Sequence, residues 1–296
     1  MIATLWVIIT CVFFIMKVLP GSPFDADTEN KMSDFVRLDL EKTFELDKPL
    51  FSQYIKYIKN IISLNLGQSY KEAGVTVFQI IKKSFKYSAI IGFSSMIVAV
   101  WVGLFFGVVL YNNNFILSKI ISGFTTFGVA MPNFILAIFF VYFWGEKYNL
   151  LSIGNQSLFR NYIGAILVLS IYPTCFIIKI IKANIIKILD ESYISVLRSF
   201  GVSEKKILFK YALKEVLIPV VTYIAPMFAS VIMGSFAIEK IFAIPGLGKV
   251  FIDSVIGRDY YVVFGLILFY ASVYLLTIFI TDICYFIIDP RLKNSF

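Results

Sequence analysis

Histidine is absent from this chain of 296 residues, and only 16% of its residues are charged. Without histidine the chain lacks the commonest general base and metal ligand, which argues against a catalytic or metal-binding role. Chemistry by Asp, Glu, Lys or Ser stays open. A soluble domain carries about 25% charged residues, whereas this chain is 59% hydrophobic with a mean hydropathy of +0.83. The composition therefore predicts an integral membrane protein.

Cysteine is also scarce, and Cys11, Cys175 and Cys284 all lie in apolar stretches. They show neither a disulfide framework nor metal-ligand spacing, so we interpret them as packing residues. The net charge of +8 fits either a nucleic-acid surface or basic cytoplasmic loops. A nucleic-acid surface needs a basic face outside the membrane, so we expect a lipid bilayer and no nucleic acid as partner.

Long apolar segments take up most of the chain. A spanning helix needs about 20 largely apolar residues, because lipid offers the backbone no hydrogen-bond partner and a helix satisfies its own groups. The pattern predicts an all-α integral membrane protein with six transmembrane helices. These run roughly over residues 2–19, 87–111, 119–144, 162–181, 216–238 and 260–288.

The charges between the apolar segments predict the topology. Residues 182–214 are rich in basic side chains, and the positive-inside rule places them, and hence both termini, in the cytoplasm. Residues 20–86 are then an external segment between the first helix (1–19) and a five-helix core (87–296), and residues 239–259 are a second external segment. The basic residues of the cytoplasmic connection are Lys182, Lys187, Arg198, Lys205, Lys206, Lys210 and Lys214.

Gly201 divides the cytoplasmic connection into two short helices. A glycine just past a helix adopts the left-handed conformation that ends it, and Ser203 with Glu204 is typical of a new helix start. The pattern predicts a helix-turn-helix on the cytoplasmic surface. An ordinary basic loop that only fixes the topology is the alternative.

With this helix-turn-helix and the segments given below, the sequence resembles the inner-membrane permease subunits of ABC importers. The resemblance is to the oligopeptide and dipeptide branch, and most closely to the B-type subunit of oligopeptide permeases. The resembling segments follow the order and spacing of the family along nearly the whole chain. They are Leu19–Phe24, Leu46–Leu50, Leu66–Ser69, Glu191–Leu208, Tyr211–Lys214, Leu217–Thr222, Ile244–Gly248, Arg258–Tyr260 and Asp289–Arg291.

The resemblance implies a type I ABC importer permease fold in the bacterial cytoplasmic membrane, and a pathway for oligopeptides or dipeptides. It implies a second homologous permease, two ATPase subunits and an external solute-binding protein as partners. It also implies that this chain is not an enzyme and has no cofactor, since ATP is used by the ATPase subunits. Nickel chelates or another small solute are the alternative cargo within the family.

The segment around Gly201 resembles the part of the family that docks on the ATPase and couples it to the spans. The family usually has a lysine where Phe200 stands, so the docking surface here is expected to be more apolar than usual. The residues that match this coupling segment are Glu191, Arg198, Ser199, Phe200, Gly201, Val202, Ser203 and Lys205.

The second external segment carries candidates for contact with the binding protein or for the mouth of the pathway. Pro245 to Gly248 is expected to form a tight turn, and the charged residues here are solvated surface charges on the alternative interpretation. The candidates are Glu239, Pro245, Gly246, Gly248, Arg258 and Asp259.

Asp282 places a carboxylate inside the last apolar stretch, where such a group pairs or faces a polar cavity. We expect it to pair with a basic residue such as Lys179 or Arg198, and regard proton coupling as the weaker alternative. Pro132, Pro173, Pro219 and Pro226 each permit a kink that can line a cavity or serve in gating. A tolerated proline is the alternative, which we favour for Pro173.

Two other classes of protein make different predictions. A membrane-embedded enzyme predicts paired carboxylates or a Ser/Lys constellation at one depth. A secondary transporter predicts inverted repeats and several intramembrane charges. The sequence shows none of these patterns clearly, which favours the importer permease.

Overall fold

The structure is a computed structural model, and it describes residues 2–18, 42–43, 45–72, 74–109, 115–147, 158–232 and 235–288. Helices form the regular structure of these ranges, apart from an isolated bridge between Gln68 and Thr76. This confirms the all-helical prediction. The helices are α1 (Ile2–Val18), α2 (Leu50–Ile62), α3 (Val77–Val109), α4 (Phe115–Ala130), α5 (Asn133–Phe140), α6 (Leu158–Leu189), α7 (Ser192–Ser199), α8 (Glu204–Lys206), α9 (Leu213–Ile232), α10 (Phe236–Ile241), α11 (Leu247–Ile256) and α12 (Tyr260–Ile288).

Three helices in the described part of the chain are long and apolar enough to cross a membrane, over Val77–Val109, Phe159–Leu189 and Tyr260–Thr281. The pair α4 and α5 is a fourth if it forms one bent span. Helix α1 is apolar but shorter, with Ala3–Val18 as its apolar part. The structure therefore supports several membrane crossings by length and composition.

The predicted span over residues 119–144 is not one straight helix. It breaks between α4 and α5, whose axes differ in direction by 105°. Pro132 lies at the break in an extended conformation, with φ −61 and ψ 134. Proline has no N–H for a helical hydrogen bond and disfavours the helical conformation of Met131 before it. A π-helical turn over Val141–Lys147 extends α5 beyond this break.

The helix observed in the predicted span over residues 216–238 also ends earlier than expected. Helix α9 ends at Ile232, and Ser235 is extended, with φ −94 and ψ 108, before α10 begins. Pro219 and Pro226 lie inside α9 without ending it, as Pro173 does in α6. At its other end, α9 is joined to α8 by a π-helical turn over Ile207–Ala212.

The described residues fall into two compact units, and the first comprises those of Met1–Tyr87 and Pro245–Val273. Its core is aromatic: Tyr57 of α2 lies with its ring centroid 5.8 Å from Phe13 of α1 and 5.0 Å from Phe264 of α12. Burying such rings is strongly favourable because each removes a large apolar area from water or from the polar interface. The amphipathic α2 is thereby packed against two apolar helices.

The second unit comprises the described residues of Ser88–Ile244 and Tyr274–Phe296. Its core is built on a row of fully or almost fully buried isoleucines in α6, Ile177, Ile181 and Ile185. Gly103 and Gly107 of α3 face this row, and a Cβ on either would come within 2.7 Å of an isoleucine side chain. Small residues at this spacing let two helices approach closely within a membrane.

Candidate functional site

The chain turns at Gly201 through a backbone cap at the end of α7. Gly201 has φ +76, its N–H donates to Arg198 O at 2.9 Å, and Val202 N–H donates to Leu197 O at 3.1 Å. This pair of hydrogen bonds is a Schellman motif, in which the left-handed residue is usually glycine. The predicted helix-turn-helix and its joint at Gly201 are confirmed.

Buried aliphatic side chains anchor both helices of this turn. Ile194 of α7 and Ile207 just after α8 are fully buried. Leu208 packs in the same cluster as Ile181 and Val216, so the start of α9 and the end of α6 share one core with the turn. Since buried aliphatic side chains are costly to move, the segment is attached firmly to the long helices that flank it.

The tip of the same segment is apolar and exposed. Phe200 is 81% exposed and Val196 is 51% exposed. Phe200 follows the last residue of α7, and an exposed phenylalanine gains nothing from water, so this surface is suited to a partner protein. An exposed apolar surface is therefore present where the sequence predicts docking, and the docking itself stays a prediction.

The remaining predicted coupling residues lie around the two helix starts. Glu191 precedes α7 at its N-terminus, where a carboxylate is favourable beside the helix dipole, and Ser203 holds the equivalent position before α8. Ser199 Oγ is hydrogen-bonded back to Ser195 O within α7, at 3.0 Å. Lys205 is exposed. Whether these groups contact an ATPase stays a prediction.

Tyr193 adds a link that sequence reasoning missed. Its hydroxyl donates to Glu215 Oε1 at 3.1 Å, which ties α7 to the first turn of α9. Burial, followed by this hydrogen bond, raises the pKa of Tyr193 to about 12. The two residues are 22 positions apart, and no sequence signal connects them.

Glu239 is not a solvated surface charge. It lies in α10, is only 2% exposed, and accepts a hydrogen bond of 2.6 Å from Ser88 Oγ of α3. A buried carboxylate is stable only when it is hydrogen-bonded or paired. That alternative interpretation is therefore wrong for this residue, while a role in shaping the mouth of the pathway stays a prediction.

Asp259 is likewise buried, at 3% exposure, and acts inside the first unit. Its carboxylate accepts hydrogen bonds from Ser69 Oγ and from Tyr70 N–H, the latter at 3.2 Å. Ser69 Oγ in turn accepts from the N–H groups of Lys71 and Glu72. Asp259 therefore holds the loop after α2 to the start of α12, and it too is not a solvated charge. Its neighbour Arg258 is partly buried, with φ +56.

The sequence Pro245 to Gly248 does not form the expected tight turn. Gly246 is extended, with φ −90 and ψ −179, and α11 begins directly after it. Leu247 is fully buried and anchors this helix start, beside the buried Gly248. The turn lies earlier, at Phe242 and Ala243, where Ala243 has φ +53.

The last predicted site residue, Asp282, lies within α12, but its side chain is outside the described residues. Its expected pairing with Lys179 or Arg198 stays a prediction. Arg198 has another carboxylate partner in this structure, since its Nε lies 2.8 Å from Glu204 Oε1.

Comparison with known proteins gives consistent likenesses along the chain. Residues 88–294 match the family described as binding-protein-dependent transport system inner membrane component. The chain is 35% identical to the dipeptide transport system permease protein DppB of Bacillus subtilis, over 99% of this chain and 95% of that protein. It is 31% identical to the oligopeptide transport system permease protein OppB of Salmonella typhimurium, over 99% and 96%.

A solved structure resembles this chain in fold. A chain of the inward-facing MetNI methionine ABC transporter aligns with a TM-score of 0.59 and 18% sequence identity. The alignment covers 72% of this chain and 97% of that one. At this identity the likeness concerns the fold alone.

Proposed function

The chain belongs to the family of inner membrane components of binding-protein-dependent transport systems, and from this premise we propose that it forms half of the pathway of an ATP-driven peptide importer. It is a membrane permease subunit and not an enzyme. The cargo we propose is a dipeptide or a short oligopeptide. The membrane is the bacterial cytoplasmic membrane.

The observation that carries this proposal is the likeness to a dipeptide permease along 99% of the chain. Such a likeness spans both compact units as well as the coupling segment. The oligopeptide permease of Salmonella typhimurium is matched over the same share of the chain. Both relatives are named for peptide transport, which favours peptides over nickel chelates as cargo.

The geometry at Gly201 supports a coupling role. The partners we propose are a second homologous permease, two ATPase subunits and an external solute-binding protein. Exposed Phe200 would enter a cleft of the ATPase, while buried Ile194 and Ile207 transmit its movement to α6 and α9. Closure of the ATPase pair on ATP would then switch the pathway between its two openings.

For the topology we propose six crossings with both termini in the cytoplasm. They are α1, α3, the bent pair α4 and α5, α6, α9 and α12. The basic connection over residues 182–214 supports the cytoplasmic side for the Gly201 segment. The external side would then hold residues 20–86 and 239–259.

Cysteine labelling tests this topology. In a chain whose native cysteines are replaced by serine, a membrane-impermeant maleimide should label Leu64→Cys in intact cells, because Leu64 is 90% exposed. Phe200→Cys, at a residue 81% exposed, should be labelled only in inside-out vesicles. Labelling of both in intact cells would contradict the proposed sides.

Reconstitution tests the function. Proteoliposomes would hold this chain, its second permease and both ATPase subunits, with the loaded binding protein on the external side and ATP on the other. Labelled tri-alanine should accumulate only with ATP and binding protein together. Uptake that persists without ATP would indicate a secondary transporter, and uptake of a nickel chelate but not of peptide would replace the proposed cargo.

A further inference from the structure

The second unit holds a cavity of about 430 Å³ that none of the predicted coupling or mouth residues lines. It lies where α5 begins after the bend, beside the middle of α6, the end of α9 and the start of α10. A volume of this size is typical of small-molecule sites. Its polar side chains are Asn133, Tyr172, Ser230 and Ser235.

Asn133 has a side-chain oxygen without a hydrogen-bond partner at this cavity. Its Oδ1 is buried and has no hydrogen-bond partner among the described residues. A buried acceptor without a partner is costly, and the cost is greater in a membrane protein, where water is scarce. Because the side chain lines the cavity, a hydrogen-bond donor bound there is a candidate partner for this oxygen.

The two serines also have acceptor capacity to offer. Ser230 Oγ donates to Met227 O at 2.8 Å, which uses its proton and leaves lone pairs on the oxygen. Ser235 precedes α10 without a side-chain hydrogen bond to that helix. The cavity therefore presents neutral acceptors on three different elements.

The rest of the wall is apolar, with Leu169, Met227 and Val231 among its residues. None of the described residues that line the cavity carries a charge. Such a surface cannot hold an ion tightly, because it offers no opposite charge to offset the cost of removing the ion from water. It suits a ligand with several N–H donors along an otherwise variable body, bound weakly enough to leave again.

We propose that this cavity is a passage site for the peptide main chain, in which Asn133 accepts a backbone N–H of the cargo. This inference rests on the proposed peptide transport and adds the residue that recognises the amide groups. Reading the main chain and not the side chains would let one pathway pass peptides of different sequence. The same amide would partly replace the water that a peptide loses on entering the membrane.

Asn133→Leu tests this site, with Asn161→Leu as matched control. Asn161 is 6% exposed, lies in α6 outside the cavity lining, and also has a buried Oδ1 without a partner among the described residues. In the reconstituted importer, Asn133→Leu should lower uptake of tri-alanine by about threefold to tenfold. It should keep the ATPase activity that the loaded binding protein stimulates. Asn161→Leu should change uptake less than twofold.

A second measurement separates recognition of the amide from a general defect. Tri-alanine is compared with an analogue in which an ester oxygen replaces the middle N–H, both at saturating loaded binding protein. The wild-type chain should favour the amide, and Asn133→Leu should bring the ratio of the two uptake rates towards one. Any preference of the binding protein itself is common to both chains and cancels in this comparison.

If Asn133→Leu leaves the ratio of amide to ester uptake unchanged, the inference is overturned. The proposed function still stands in that case, provided that the wild-type importer takes up peptide. Absence of peptide uptake by the wild-type importer would overturn both. If Asn133→Leu does not assemble with the second permease, Asn133→Ala removes the amide without added bulk. Loss of assembly in both variants would identify the cavity as a subunit contact and refute the passage site.

Discussion

Arg198 and Glu204 are ion-paired across the turn at Gly201, with Nε and Oε1 2.8 Å apart. Their side chains are 42% and 54% exposed, so the pair contributes at most about 1 kcal/mol. The backbone cap, and not this pair, therefore holds the turn. The pair also neutralises Arg198, one of the basic residues of the cytoplasmic connection, whereas Lys205 and Lys206 after the same turn are exposed.

Gly201→Ala should loosen the turn. At φ +76 an alanine costs about 1–2 kcal/mol, although its Cβ would meet no atom within 4 Å. We expect a lower midpoint of thermal unfolding in detergent and weaker binding of the ATPase. Gly123→Ala is the control, because its Cβ also meets nothing but its backbone is helical. That change should be neutral or slightly stabilising. Equal effects of the two changes would contradict the strained-turn account.

Phe200→Ala should leave the fold intact and weaken the complex. Phe200 is 81% exposed, and an exposed substitution usually changes stability by no more than about 0.5 kcal/mol. Binding of the ATPase, measured by co-purification at increasing salt, should fall at least fivefold, since buried aromatic anchors at interfaces often contribute about 1–2 kcal/mol or more. Phe159→Ala, at a residue 74% exposed on α6, should not affect ATPase binding. Unchanged binding with Phe200→Ala would exclude it as an anchor.

Ser88→Ala should destabilise the second unit by removing a donor from buried Glu239. The hydrogen bond is 2.6 Å long, and a buried carboxylate that loses a donor costs about 1–3 kcal/mol. Ser95→Ala is the control in the same helix, because Ser95 is equally buried but its hydroxyl donates to Ile91 O of its own helix. Thermal unfolding should separate the two variants. Similar midpoints would show that Glu239 does not depend on Ser88.

Tyr193 should titrate well above an ordinary tyrosine. Its pKa is raised from 10.0 to about 12, first by burial and then by the hydrogen bond to Glu215. A phenol whose pKa is raised in the folded state stabilises the fold below about pH 10, and this contribution is lost as the pH rises towards 12. The tyrosinate absorbance of the chain minus that of Tyr193→Phe measures this titration. Glu215→Gln should move the titration midpoint of Tyr193 towards 10. A midpoint near 10 both with Glu215 and with Glu215→Gln would refute the hydrogen bond between the two residues.

The predictable features of the coupling segment are formed by residues close together in sequence. Gly201, the start of α8 at Ser203 and Glu204, and the helical patterns on both sides fall within a few residues, so local conformational preferences suffice to define the turn. The exposed position of Phe200 follows from the same turn. The Tyr193 link to Glu215 could not be predicted, because it depends on how α7 packs beside α9.

The departures from the sequence-based expectations have a common physical cause. The sequence anticipates a kink at Pro132 but not its size of 105°, because hydropathy is insensitive to the direction of a helix axis. For Glu239 and Asp259 the sequence left solvated surface charge open as an alternative, because their partners Ser88 and Ser69 lie 151 and 190 positions away. Burial of a charge is a tertiary property, so a local pattern cannot report it.

The hydrogen bond between Ser69 and Asp259 also limits how early the first unit can fold during synthesis. The two residues are 190 positions apart, and at about 5–20 residues per second a ribosome needs roughly 10–40 s to cover that distance. Until then, the loop after α2 and the aromatic face of α1 lack the helix that completes their unit. A nascent chain stalled before residue 259 therefore exposes these surfaces, which makes them suitable for recognition by membrane chaperones and quality-control proteases.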